Sequence, residues 1–158
     1  MQWKIVFILA ALLPVSLSAQ FSGPPNNPQE YEEQYNWRIR QSSLNGVYIP
    51  KDLPEAIREL NRLTDTESRQ RFAGLPEEDC YHELFHSLGR WIRRNWGFNG
   101  GSRLSAALAP LGLRHPDDLA QLVIVVWHRD LNEKPHDLRE IVERIKEARQ
   151  AAYEATKD

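Results

Sequence analysis

With a single cysteine, Cys80, the chain can form no disulfide within itself, so an exported domain of this kind must be held together by packing alone. The thiol leaves two readings open: a small residue on a helix flank, or a disulfide between two chains. Strong charge of one sign is also missing. The 158 residues carry 20 Lys and Arg against 22 Asp and Glu, a formal net charge of −2. That balance gives no reason to expect nucleic acid or an anionic membrane as partner. Internal repeats are missing too. Beyond the first twenty residues there is no apolar run long enough to suggest a transmembrane segment.

What is present begins with a targeting pattern. Lys4 supplies a positive start, and Ile5 to Leu13 is an apolar run of signal-peptide length. Small residues follow at Ser16, Ser18 and Ala19, so residues 1–19 are expected to be removed, with a cut after Ser18 as an alternative. An uncleaved anchor helix is the other reading of the same run. Cleavage after Ala19 leaves 139 of the 158 residues, with 19 basic and 22 acidic side chains and a net charge of −3. The protein is expected outside the cytoplasm, periplasmic or secreted. The length suits one domain with a core of its own.

Residues 20–29 are polar and rich in Pro and Gly and read as a flexible leader. From 30 to 158 the chain reads as one helical domain. Tyr31 to Gln41 makes a first helix, and Asn45-Gly46 marks a turn. Leu53, Ala56, Ile57, Leu60 and Leu63 stripe one face of a second helix. Asp65 to Ala73 is a shorter helix stopped by Gly74. Pro76, with Glu77, Glu78 and Asp79 in the first turn, predicts a helix running to about Trp96. Ser102 caps a short helix through Leu108. His115-Pro116-Asp117-Asp118 starts another, whose run Leu119 to Trp127 is apolar almost all round. That run predicts a central buried helix near 116–131, although its length and β-branched content also suit a buried strand. Leu138, Ile141, Val142, Ile145 and Ala152 stripe a long C-terminal helix. The expected fold is all-α, a compact bundle of about six or seven helices.

One stretch has the form of a catalytic motif. His82-Glu83-Leu84-Phe85-His86 reads H-E-x-x-H, which needs two imidazoles a turn apart for zinc and a carboxylate to deprotonate bound water. Gly89 extends the match, but the third-histidine position is Ile92. On a helical wheel Tyr81, Leu84, Phe85, Leu88, Trp91 and Ile92 form the apolar face. His82 and His86 fall on a polar flank with Arg93, whose charge disfavours a dication. No sheet is evident to hold a peptide substrate. His86 is therefore expected as a hydrogen-bonding neighbour of Arg93, and zinc on His82 and His86 with Glu83 as base is the alternative. The loop Gly97 to Gly101 lacks the Lys-Ser/Thr of a phosphate cradle and reads as a tight helix connection.

From Ile49 to about Pro135 the chain resembles a bacterial family, the domain of unknown function numbered 6794. The resemblance rests on Ile49-Pro50-Lys51-Asp52-Leu53, on the run Gly89 to Gly97 (GRWIRRNWG), and on Gly101-Ser102-Arg103-Leu104. It continues through Gly112-Leu113-Arg114-His115-Pro116-Asp117-Asp118 and His128-Arg129-Asp130-Leu131. The resemblance implies a compact, mainly helical domain and no established activity. It also implies a histidine at the position of His86 without the His82-Glu83 pair, which makes H-E-x-x-H local to this chain.

Two readings remain for the polar residues of these motifs. Asp117 or Asp118 pairs with one of Arg93, Arg103 and Arg129 to lock helices in register. Alternatively, Arg93, Arg103, His115, Asp118, His128 and Arg129 share a cationic pocket for a small anion, with Trp91 or Trp96 as an aromatic wall. The function expected from the sequence is a non-enzymatic binding or interaction module without a cofactor. Its partner is an unidentified protein or small anion, met through an exposed patch around Trp96 and Phe98. A zinc-dependent hydrolase and a small-anion protein are the alternatives.

Overall fold

The computed structural model describes residues 23–157. The expected signal peptide, residues 1–19, lies outside the described residues. Helix α1 spans Pro28–Arg38, α2 Leu53–Leu63, α3 Thr66–Ala73 and α4 Cys80–Leu84. A π-helical turn, Phe85–Gly89, continues α4 into α5, Arg90–Asn95. Then come α6 Arg103–Leu108, α7 Pro116–Leu131 and α8 Leu138–Glu154. With Cys80–Asn95 counted as one rod, seven helical rods make up the described residues, beside one two-stranded hairpin. The fold is all-α, as the helical periodicities require.

Local chemistry explains the boundaries. Asp52, Asp65 and Ser102 are extended N-caps whose side chains accept from the backbone N–H three residues on, which satisfies one of the orphan donors of each first turn. Ser105 returns a bond to the Ser102 N–H at 2.8 Å and completes a capping box. Asn45 and Gly46 have φ of 51° and 78°, the geometry of a type I′ turn, so Ser43–Leu44 and Val47–Tyr48 pair as a minimal hairpin. The first helix begins at Pro28, earlier than expected, because Asn27 accepts from the Glu30 N–H at 2.9 Å and caps it.

The expected helix from Pro76 differs most. Residues 77–79 form a turn, and the helix starts at Cys80. Asp79 makes no side-chain cap bond, and Glu77 points away to arginines on α7 and α8. The rod is then broken by the π turn, where one backbone turn holds an extra residue.

Helix α7 is the axis of the fold. It packs against α2, α3, α4, α5 and α8, and every residue from Asp118 to Arg129 except Gln121 is buried. Its apolar run is therefore helix, and it is buried on all sides because helices surround it. Gly89 lies at the tightest point of the broken rod. A Cβ there would meet Leu84 O at 3.3 Å and the Ile124 side chain at 3.8 Å. In α8 only Ile141, Val142 and Ile145 are buried, while Ala152 is exposed. The expected stripe is therefore buried only over the first half of α8. Leu63 is likewise 47% exposed, at the open end of the α2 face. Cys80 is fully buried and free, and burial pushes its thiol up to about 12. The thiol is thus closed off from a second chain, which removes the interchain disulfide reading.

Candidate functional site

The motif residues are spread over three places rather than one pocket. At the start of α7, Arg93 pairs with Asp117 and lies 4.8 Å over the Phe85 ring. His115 is the N-cap of α7, its Nδ1 accepting from the Asp117 N–H at 3.2 Å. Asp118 takes a fork from Arg149 of α8 at 2.5–2.8 Å, a partner that the sequence motifs do not contain. That bond raises the pKa of Arg149.

Near the other end of α7, about 16 Å along the axis at 1.5 Å per residue, lie His128 and Arg129. Arg129 is 7% exposed and donates to Glu77 at 2.7 Å and to Glu140 at 3.0 Å. Hydrogen bonds from Arg129 first, and from Arg144, hold Glu77 down at about 2 despite partial burial. His128 Nε2 donates to Leu75 O at 2.9 Å, and its buried Nδ1 has no hydrogen-bond partner among the described residues.

The third place is the α2–α6 corner. Arg103 Nε donates to Ile49 O at 2.6 Å, and its guanidinium lies 5.1 Å over Tyr48 and 3.7 Å from Glu55. Each of the three arginines thus has its own carboxylate. Trp96 is fully buried, its Nε1 without a hydrogen-bond partner among the described residues, and Phe98 is 5% exposed. The two do not form the exposed patch expected from the sequence, and Trp96 is not a pocket wall. Their rings fill the core beneath the loop that begins at Gly97.

His82, Glu83 and His86 are exposed. Among the described residues no group of three His, Cys, Asp or Glu side chains is placed to hold a metal ion, and Ile92 is wholly buried. The two imidazoles have different neighbours, His82 against Tyr81 at 6.3 Å and His86 against Phe85 at 4.8 Å. The π turn begins between them and disturbs the i, i+4 ridge that a zinc pair uses. His86 meets Arg93 only through Phe85, whose ring both contact.

One concave site is a place that the motifs did not reveal. A groove of about 550 Å3 opens between α2, α3, α7 and the rod Cys80–Asn95. Phe72, Leu88, Trp91 and Trp127 wall it, and the Leu63 side chain marks its rim. Phe72 and Trp127 stack at 4.6 Å, and Trp127 Nε1 donates to Asn61 Oδ1 at 2.8 Å. The rings are therefore fixed before any ligand arrives. Arg69 braces the α2–α3 corner by donating to Asn61 O at 2.6 Å and to Thr64 O. Thr64, Ser68 and Ser87 are also among the lining residues, the Ser68 and Ser87 hydroxyls donating to Asp65 Oδ2 at 2.8 Å and to Leu84 O at 3.2 Å. In the sequence these residues fall on apolar helix faces, Leu63 on one helix and Leu84, Leu88 and Trp91 on another, and nothing local shows that the two faces stand apart.

No helix among the described residues is long and apolar enough to cross a membrane. A family model, "Domain of unknown function (DUF6794)", matches residues 49–131, just over half of the chain. No curated protein and no solved structure matches it.

Proposed function

The chain belongs to the DUF6794 family, and we propose that it works as an exported, non-enzymatic binding module whose groove takes a small apolar or aromatic molecule. The observation that carries this reading is the groove itself, about 550 Å3 with Trp91, Trp127 and Phe72 in its walls. Small-molecule sites have volumes of roughly 300–1,000 Å3, mostly apolar walls and a few polar groups. Flat protein interfaces lack that concavity. Aromatic walls favour an aromatic or flat aliphatic ligand through stacking and area burial. The Ser68 and Ser87 hydroxyl hydrogens are already donated within the fold, so the lining suits a ligand with few polar atoms. The groove contains no charged residue, which argues for binding over acid–base chemistry there.

The test uses the neutral dye N-phenyl-1-naphthylamine, with dye fluorescence and quenching of tryptophan emission as readouts. Saturable binding is expected, because Trp91 and Trp127 line the site. Ser87→Tyr fills the groove from an exposed position, and Leu63→Glu charges its rim. Both should weaken dye binding while leaving the circular dichroism spectrum unchanged. Binding that neither substitution alters, or no saturable binding by the unaltered chain, overturns the reading.

A further inference from the structure

A second concavity of about 380 Å3 lies where the loop entering α7 meets α8. Arg114, His115, Asp118, Lys146 and Arg149 line it. Its hydrogen-bonding groups are unevenly matched. Both oxygens of Asp118 are taken by Nε and Nη2 of Arg149 at 2.5–2.8 Å, so the carboxylate is already engaged. The same fork leaves Arg149 Nη1 with no bonded partner among the described residues. The Arg114 guanidinium is exposed and makes no hydrogen bond or ion pair among them. His115 Nδ1 accepts from the Asp117 N–H, which puts the ring hydrogen on Nε2 and makes that atom a donor. Lys146 Nζ meets only Glu143, at 3.4 Å, and both side chains are largely open to water. Such surface pairs are weak and readily exchanged. Gly112 keeps the wall low: a Cβ there would come within 3.4 Å of Lys146 Nζ.

Asp117 pairs with Arg93 and has its other oxygen 3.7 Å from His115 Nδ1. Arg93, Arg114, Lys146 and Arg149 thus stand against three carboxylates, Asp117, Asp118 and Glu143, each already engaged. The free groups are donors from Arg114, His115, Lys146 and Arg149, and they converge at the positive end of a 16-residue helix. We propose that this cleft binds a compact oxyanion, a phosphate or carboxylate group carried by a small solute. Arginine forks and an ammonium are the side chains that recognise such groups. The site is separate from the apolar groove and stands whether or not that groove binds anything.

The experiment is a titration of the full chain, at fixed ionic strength, with sodium phosphate and separately with sodium citrate, followed by 15N–1H correlation spectra. Saturable shifts confined to residues 112–118 and 146–150 are expected with at least one anion, and the two arms tell phosphate from carboxylate. Arg114→Gln and Lys146→Gln should each weaken binding about tenfold, the effect of one lost charge-assisted hydrogen bond. Arg139→Gln, an exposed arginine outside the cleft, should leave it unchanged. No saturable shift with either anion, shifts scattered over all basic residues, or binding that Arg114→Gln leaves intact would each overturn the proposal.

Discussion

Glu77 and Arg129, 52 residues apart in the chain, form a forked ion pair with Glu77 Oε1 2.7 Å from Arg129 Nη2. The same carboxylate accepts from Arg144 Nη2 at 2.9 Å. One side chain thus ties the turn before α4 to the last turn of α7 and to α8. Glu140 completes the ring at 2.9 Å from Arg129 Nη1. Breaking a buried pair from one side costs more than the pair contributes, because the remaining charge is left desolvated. Glu77→Gln should lower unfolding stability by about 2–3 kcal/mol, with Glu140 limiting the loss. Glu143→Gln, in an exposed pair, should change it by less than about 0.5 kcal/mol. Urea denaturation of the two variants gives the comparison.

Acid should act through the same residue. Arg129 and Arg144 hold the Glu77 carboxyl at about 2, below its ordinary 4.5. A depressed carboxylate contributes stability that is fully present above its unfolded pKa and is lost as pH falls toward the folded value. The loss should therefore fall between about pH 4.5 and 2 and amount to on the order of 2 kcal/mol, allowing for solvent screening by the half-exposed Arg144. Glu77→Gln should flatten the melting temperature profile in that window. An unchanged slope would show that other carboxylates govern acid unfolding.

Gly101 offers a double-mutant test. Its φ is +83°, and a Cβ there would lie 2.4 Å from Tyr35 Cδ2. Gly101→Ala should cost about 1–2 kcal/mol from the left-handed backbone, with the clash added. Adding Tyr35→Ala should recover the steric part alone. Additive losses in the cycle would mean that Tyr35 and residue 101 do not touch.

The thiol of Cys80 should stay silent in the folded chain. It is fully buried, and burial raises its pKa to about 12, so both access and thiolate are lacking. A colourimetric disulfide reagent should label it only at the rate of unfolding. Rapid labelling without denaturant would contradict the packing of α4 on α7.

The sequence made the fold legible where signals are local. The cap at Ser102 and the Asn45-Gly46 turn depend on neighbours within three residues. The α7 start at His115-Pro116 and its apolar run depend on a single segment. Partnerships across the chain were not legible. Asp118 takes Arg149 and Glu77 takes Arg129, and no periodicity encodes which of several arginines reaches which carboxylate. The acidic first turn expected of Glu77 is a fair local inference that tertiary pairing overrides. Trp96 and Phe98 follow a helix end, where hydrophobic residues read equally well as surface patch or core. The groove was hidden because its walls come from four elements, and a sequence displays only one at a time.

The π turn at Phe85–Gly89 works as a phase shifter. A turn closed by i→i+5 bonds holds one residue more than its neighbours, so everything after it is rotated relative to α4 by roughly the 100° that one helical residue spans. Tyr81 and Cys80 face α7 on one side of that shift, and Ile92 faces the core on the other. Were the rod regular through all of its residues, Cys80 and Ile92 would point about 120° apart; removing one residue there would instead give a regular rod with the same side still buried. The spacing of His82 and His86 contains part of that added turn. What reads along the chain as a metal-binding interval is, in three dimensions, the length of a correction that keeps two apolar faces aligned.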